Sequence, residues 1–238
     1  MPLVVLTAAR LGTFRSKAWY NGSNNEAGGE RMILHQVETR RKAVAFTFDD
    51  GPDPVYTAQL MELFREHGGK ATFFVVGQAL ERYPDVAKRL HEEGHELGNH
   101  TYSHPHLPEL DEAGRREELD RTDALIETLT GAKPVSYRAP FLATDERLDA
   151  LVRERGYASA GGTNLEARDW SMPGADHIVD ATRPSLRPGS VVLLHDGAGD
   201  RSQTVEAVRR LLPEAIALGL ELVTFGELVR SAASASEA

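Results

Sequence analysis

The chain contains no cysteine, so neither a disulfide framework nor a thiolate metal site can form, and any metal ion must be held by histidine, carboxylate or water. It has no apolar run approaching the roughly 20 residues that a membrane-crossing helix needs. Positive charge is in deficit: 27 Lys and Arg face 36 Asp and Glu, a formal net charge of -9. That balance disfavours the phosphate-neutralising surface nucleic-acid binding requires, so no nucleic-acid partner is expected, and a neutral or cationic ligand fits better. A secretory leader is not evident either. The stretch Met1 to Ala9 is apolar but has no basic region before it, and it meets Arg10 and Arg15 too soon. What the 238 residues do supply is 41% hydrophobic content, enough to bury a full core in one domain of α/β-barrel size or in two small ones.

Residues 21–30 read N-G-S-N-N-E-A-G-G-E, rich in turn formers and without apolar periodicity. We therefore expect an N-terminal extension or linker over residues 1–30, a folded domain over 31–230, and a small-residue flexible tail over 231–238. Within the domain, β-rich apolar runs alternate with amphipathic helical patterns, the sign of βα units around a parallel sheet. Strands are predicted at Ala43 to Phe48, Ala71 to Val76, Glu96 to Gly98, Val135 to Arg138, Tyr157 to Ala160, Val191 to His195 and Leu220 to Thr224. Helices are predicted from Val55 to His67, Asp85 to Glu93, Asp111 to Leu129, Asp145 to Arg155 and Gln203 to Leu218. The pattern is that of an α/β fold, a barrel of about seven parallel strands. In the longest helix Leu119, Leu125, Ile126 and Leu129 form the apolar stripe, and Arg115, Glu118, Arg121 and Asp123 are expected to be solvated surface.

Polar clusters fall where predicted strands end, the face on which βα barrels build active sites. The first, T-F-D-D-G-P (Thr47 to Pro52), puts two adjacent carboxylates at a strand end. Neighbouring strand residues diverge, but a turn there lets one carboxylate bind a metal while the other accepts a proton from activated water. Read alone, Asp before Gly-Pro is also ordinary turn and capping chemistry. The second, H-T-Y-S-H, spaces His100 and His104 as two ligands on one turn or a curled loop. With one carboxylate they make a three-ligand site with an open position. Taken singly such histidines are more often surface or hydrogen-bonded core residues, and His95 and His106 compete for the role. R-A-P-F (Arg138 to Phe141) could hold a carboxylate ionised, or be a structural Arg before a turn. Asp169-Trp170 is the weakest cluster. V-V-L-L-H-D ends an apolar strand in His195-Asp196, where a carboxylate partner would make His195 an acid.

In this order the motifs resemble those of the polysaccharide deacetylase family, the NodB-like domain of carbohydrate esterases, over about residues 31–228. The resemblance implies a distorted (β/α) barrel and one divalent metal ion, most often zinc, held by Asp50, His100 and His104; cobalt, nickel and manganese suit the same donors. By carry-over Asp49 is the base, Arg138 orients it, His195 is the acid and Asp169 tunes it. The backbone N–H of Phe141 helps bind the oxyanion, and Trp170 and Leu193 line the acetyl pocket. Two positions depart from the family: Glu166 stands where D-x-x-D-W begins, and Phe141 replaces Tyr.

The expected substrate is an N-acetylated glycan, chitin oligomers or peptidoglycan, and the expected reaction removal of its acetyl groups. An O-acetyl esterase acting on acetylxylan is the nearest alternative. A two-His, one-carboxylate set also suits non-haem iron oxygenases, which would not require Asp49, Arg138 or His195; a non-catalytic carbohydrate-binding module would require none of them. Family analogy implies a secreted or cell-envelope location, although no clear signal peptide is read in the sequence.

Overall fold

The computed structural model describes residues 33–233; the expected extension over residues 1–30 and the end of the expected tail lie outside the described residues. The described chain opens with a two-residue strand, β1 (Ile33–Leu34), followed by β2 (Ala43–Asp49), in which every residue is buried. A parallel strand covered on both faces reads as a continuous apolar run, and A-V-A-F-T-F does so. The remaining strands are β3 (Thr72–Val75), β4 (Glu96–Asn99), β5 (Ser136–Tyr137), β6 (Ala158–Ala160), β7 (Val191–His195) and β8 (Glu221–Leu222).

All strand pairs are parallel and run in the order β1-β6-β5-β4-β3-β2-β7, with β8 added to Ala43 and Val44 of β2. The curled sheet does not close by a regular ladder. Its seam is sewn by single bonds: Val191 N–H to His35 O (3.2 Å), Thr163 N–H to Val191 O (2.8 Å) and a bridge between Gln36 and Ser190. This is the distorted barrel expected. Two-residue β1 escaped the sequence reading because Ile33-Leu34 lies between the turn-rich stretch before it and the polar residues after it.

Helices α1 (Tyr56–Glu66), α2 (Gly77–Arg82), α3 (Pro84–Glu92), α4 (Glu112–Thr130), α5 (Glu146–Glu154), α6 (Ala175–Thr182), α7 (Ser202–Ala217) and α8 (Phe225–Ala233) cover the sheet. The main core lies between helices and sheet, with Phe48 stacked on Phe73 at 5.1 Å and edge-on to Phe64 at 6.0 Å. Three helices were not anticipated: α2, α6 and α8. The last carries the fold to Ala233, past the boundary expected at Arg230, because Leu228 and Val229 are buried beside β2 and the Ser231 hydroxyl bonds Thr39 at 2.9 Å.

Helix α4 begins at Asp111, whose carboxylate accepts the Gly114 N–H at 2.8 Å, and ends at Gly131 with φ 74°. Of the four charged side chains expected to be solvated surface, Arg121 is exposed, whereas Arg115 is buried and Glu118 and Asp123 are half-buried. Arg115 is buried in a two-pronged pair with Asp145 (2.7 Å to each oxygen), and Arg121 lies 3.4 Å over the Tyr102 ring. Asp123 accepts from Asn99 Nδ2 at 2.7 Å and from the Tyr157 hydroxyl at 2.5 Å, while Glu118 accepts from the loop that follows β4. The helix packs against α2, α3 and β4, so Arg115, Glu118 and Asp123 beside its apolar stripe meet protein.

Candidate active site

The C-terminal ends of β2, β4, β5 and β7 converge, and most of the predicted polar residues lie within two positions of those ends. Asp49 ends β2 directly opposite His195 of β7, and the Asp196 N–H donates to the Asp49 carbonyl at 3.0 Å. Asp50 then leaves the strand at φ 76° and leads into a cis Gly51–Pro52 peptide. That turn defeats the alternation that would send the two carboxylates to opposite faces: His100 Nε2 is 3.8 Å from Asp49 Oδ2 and 3.5 Å from Asp50 Oδ1. Gly51 is required there, since a Cβ at that position would overlap the Asp196 carboxylate.

His104 Nε2 lies 3.3 Å from the same Asp50 oxygen, and one donor atom each from Asp50, His100 and His104 falls within 4.8 Å of the others. These donors can hold a divalent metal ion. His100 Nδ1 faces the Arg138 carbonyl at 2.7 Å. A carbonyl only accepts, so that nitrogen carries a proton, and Nε2 is the ring atom turned toward Asp50. The rival histidines are elsewhere. His95 is buried, accepts the Ala71 N–H on Nδ1 at 3.1 Å and is pushed down to about 4 by burial, aided by Lys70; His106 pairs with Glu109 at 3.3 Å on the surface.

Arg138 is wholly buried: Nη1 donates to Asp49 Oδ1 at 2.6 Å, and Nη2 to Thr47 Oγ1 (2.7 Å) and the Gly161 carbonyl (2.6 Å). Across the pocket His195 Nδ1 donates to Asp169 Oδ1 at 2.8 Å, while the other oxygen of Asp169 accepts the His195 N–H and the Thr204 hydroxyl, each at 2.8 Å. Burial alone would pull the His195 pKa down, but its bond to Asp169 and the charges of Asp169, Asp49 and Asp50 outweigh burial and raise it. Burial would likewise raise Asp50, yet His100, His195 and His104 bring it to about 2.

Phe141 adopts φ 60° after β5 and sets its ring edge-on to His104 at 4.8 Å, with 69% of the residue exposed. Trp170 is also exposed, next to Asp169, and its carbonyl accepts from Arg201 at 3.4 Å. Leu193 is half-buried on β7, two residues before His195. Glu166, the departure in the fourth motif, turns its side chain to Arg168 on the surface, 3.4 Å away.

Sequence reasoning missed several supporting residues. Asn99 accepts the Thr101 N–H at 2.8 Å, Thr57 donates to the buried Asp196, and Arg201 ties four carbonyls of the loops carrying His195 and Trp170. Asp196 leaves its Oδ1 without a partner among the described residues, and burial, with the charges of Asp50, Asp49 and Asp53, raises it to about 7 despite the Thr57 bond. Its place beside His195 in V-V-L-L-H-D was the one available signal.

A possible three-donor cation site thus stands beside an Asp supported by Arg and a His supported by Asp, an arrangement suited to hydrolysis. The sequence matches the family profile described as polysaccharide deacetylase over residues 36–160. It is 37% identical over 200 residues to a peptidoglycan-N-acetylglucosamine deacetylase of Bacillus cereus, covering 83% of this chain and 93% of that protein. It is 38% identical over 189 residues to a chitooligosaccharide deacetylase of Sinorhizobium fredii, covering 74% and 86%. Among solved structures, a peptidoglycan N-acetylglucosamine deacetylase in complex with 4-naphthalen-1-yl-N-oxidanyl-benzamide aligns with a TM-score of 0.77 and 31% identity, over 81% of this chain and 90% of that one. The chain belongs to the polysaccharide deacetylase family.

Proposed function

We propose that the protein, through a catalytic domain spanning roughly residues 31–233, hydrolyses the acetamide of N-acetylglucosamine units in chitin oligomers or peptidoglycan, leaving a free amine and acetate. The observation that carries this reading is one cluster at the strand ends that brings together a possible three-donor cation site and two separately supported titratable groups, Asp49 on Arg138 and His195 on Asp169. A sugar-binding module or an iron oxygenase has no use for both.

Asp50 and the Nε2 atoms of His100 and His104 would hold the ion, and oxygen with imidazole donors suits zinc first. A bound ion supplies an acidified water and polarises the acetyl carbonyl. Asp49, oriented by Arg138, accepts the proton of the attacking water. The Phe141 N–H is the donor for the carbonyl oxygen as charge builds on it, and loss of one such donor in other enzymes costs roughly 3 kcal/mol. The amine is a poor leaving group until protonated; His195 protonates it, with Asp169 bonded to Nδ1 and Nε2 left toward the pocket. Trp170 and Leu193 form the walls that receive the acetyl methyl.

Acetate release measured in parallel on N-acetylglucosamine oligomers, peptidoglycan and acetylxylan tests the reading. Release from either of the first two supports it. Release from acetylxylan alone would replace it with O-acetyl esterase activity, and glycan binding without acetate with a binding module.

A further inference from the structure

We propose that Glu118 of α4 is a positioning residue for the cation site: it fixes the backbone between Thr101 and His104, and so sets where His104 Nε2 stands relative to Asp50. The inference rests on the metal-site reading above.

Most of the hydrogen bonds of the Thr101–His104 loop come from outside it. The N–H groups of Tyr102 and Ser103 both donate to Glu118 Oε2 at 2.8 Å, and the Ser103 hydroxyl donates to Oε1 at 2.7 Å. The loop carbonyls are served from the other side, Thr101 O by Gly77 N–H (3.0 Å) and Tyr102 O by Gln78 N–H (2.9 Å), at the start of α2. The loop is thus held between a helix that donates and a carboxylate that accepts, and bonds to an ionised acceptor are the stronger kind. Tyr102 adds a side-chain anchor, its ring under Arg121 at 3.4 Å and its hydroxyl on Glu81 at 2.9 Å.

The loop needs that hold. Thr101 and His104 lie at φ 66° and 58°, a strained region for non-glycine residues that is kept only where the surroundings overdetermine it. The turn's own bond, His104 N–H to Thr101 Oγ1 at 3.1 Å, is long and neutral. The two ligating histidines differ here. His100 is fixed independently, by its N–H on the Val75 carbonyl at 3.1 Å and its Nδ1 on the Arg138 carbonyl at 2.7 Å. Loss of Glu118 therefore acts on His104 selectively, leaving Asp50 and His100 in place.

The test is the zinc affinity of the full chain, stripped of metal and titrated in competition with a chromogenic chelator. Glu118→Ala is expected to weaken zinc binding about 10–100-fold, the range seen when groups behind metal ligands are removed, and to change the visible spectrum of the cobalt-loaded protein. Glu118→Gln, whose amide oxygen can still accept the Tyr102 and Ser103 N–H groups, is expected to recover most of the affinity. Glu117→Ala, exposed on the same helix, is the charge control and leaves affinity unchanged. Glu118→Asp keeps the charge but shortens the reach, and is expected to weaken binding too; it serves if the alanine variant does not fold. Wild-type affinity with an unaltered cobalt spectrum in whichever of these two variants folds overturns the proposal. A wild-type chain that binds no zinc would instead sink the metal reading beneath it.

Discussion

Arg138 donates to Asp49 across 2.6 Å with no part of its side chain exposed, and the same guanidinium reaches Thr47 and the Gly161 carbonyl. Removing one partner of such a buried pair strands a charge, which typically costs about 3–5 kcal/mol. Arg138→Ala is therefore expected to lose stability on that scale in denaturant unfolding. Arg138→Lys retains the charge but not the fork, and should be more stable than the alanine variant yet slower in turnover. Equal unfolding midpoints for wild type and Arg138→Ala would show that the pair contributes nothing.

The proposed base and ligand roles are separable by substitution. Asp49→Asn keeps the three donor groups and is expected to lower kcat about 10²–10⁴-fold, the usual worth of a positioned base, with zinc affinity changed only a few-fold. His104→Ala is expected to lose zinc and activity together. An Asp49→Asn variant with normal turnover and bound metal would remove Asp49 from the base role; stoichiometric metal in His104→Ala would send the ligand search elsewhere.

The pH profile follows from His195. Its pKa is raised in the folded protein, because Asp169 outweighs burial. The stabilisation from that pairing is therefore complete below the unfolded value of about 6.5 and fades as pH rises through the folded pKa. On the proposed role of His195 as the acid, the protonated form is lost over the same rise and activity is expected to fall on the alkaline side. Asp169→Asn removes the partner and is expected to move the alkaline limb of kcat to lower pH while reducing kcat. A limb that stays in place would contradict His195 as the acid.

Gly51 is a test of the turn itself. A methyl group there overlaps the Asp196 carboxylate, and forcing extra volume into packed protein costs typically 1–3 kcal/mol. Gly51→Ala is expected to lower both the thermal midpoint and the zinc affinity, because the shift is transmitted to the adjoining Asp50. Unchanged affinity would mean that the turn does not hold the ligand in place.

Much of this site could be read from the sequence because its chemistry sits on short contiguous strings at strand ends. T-F-D-D-G-P and V-V-L-L-H-D each carry a buried apolar strand into its polar residues, and H-T-Y-S-H follows directly on β4, so position and chemistry appear together. The buttresses carry no such mark. Glu118 lies 14 residues beyond His104 on a helix whose charged residues looked like solvated surface, and only the packing of the β4 loop against α4 reveals what it accepts. Arg115 illustrates the same limit: it lies four residues before Leu119 on the buried stripe, and Asp145 from another helix start is what permits an Arg there. Strand β1 and helices α2 and α6 were too short for periodicity to register, and α8 runs into the small residues that were read as tail.

Acetate release from N-acetylglucosamine oligomers, measured before chelation, after metal removal and after zinc is restored, tests the central claim most directly. The account predicts release that is lost with the metal and returns with zinc. Undiminished release from protein verified to be metal-free would contradict it.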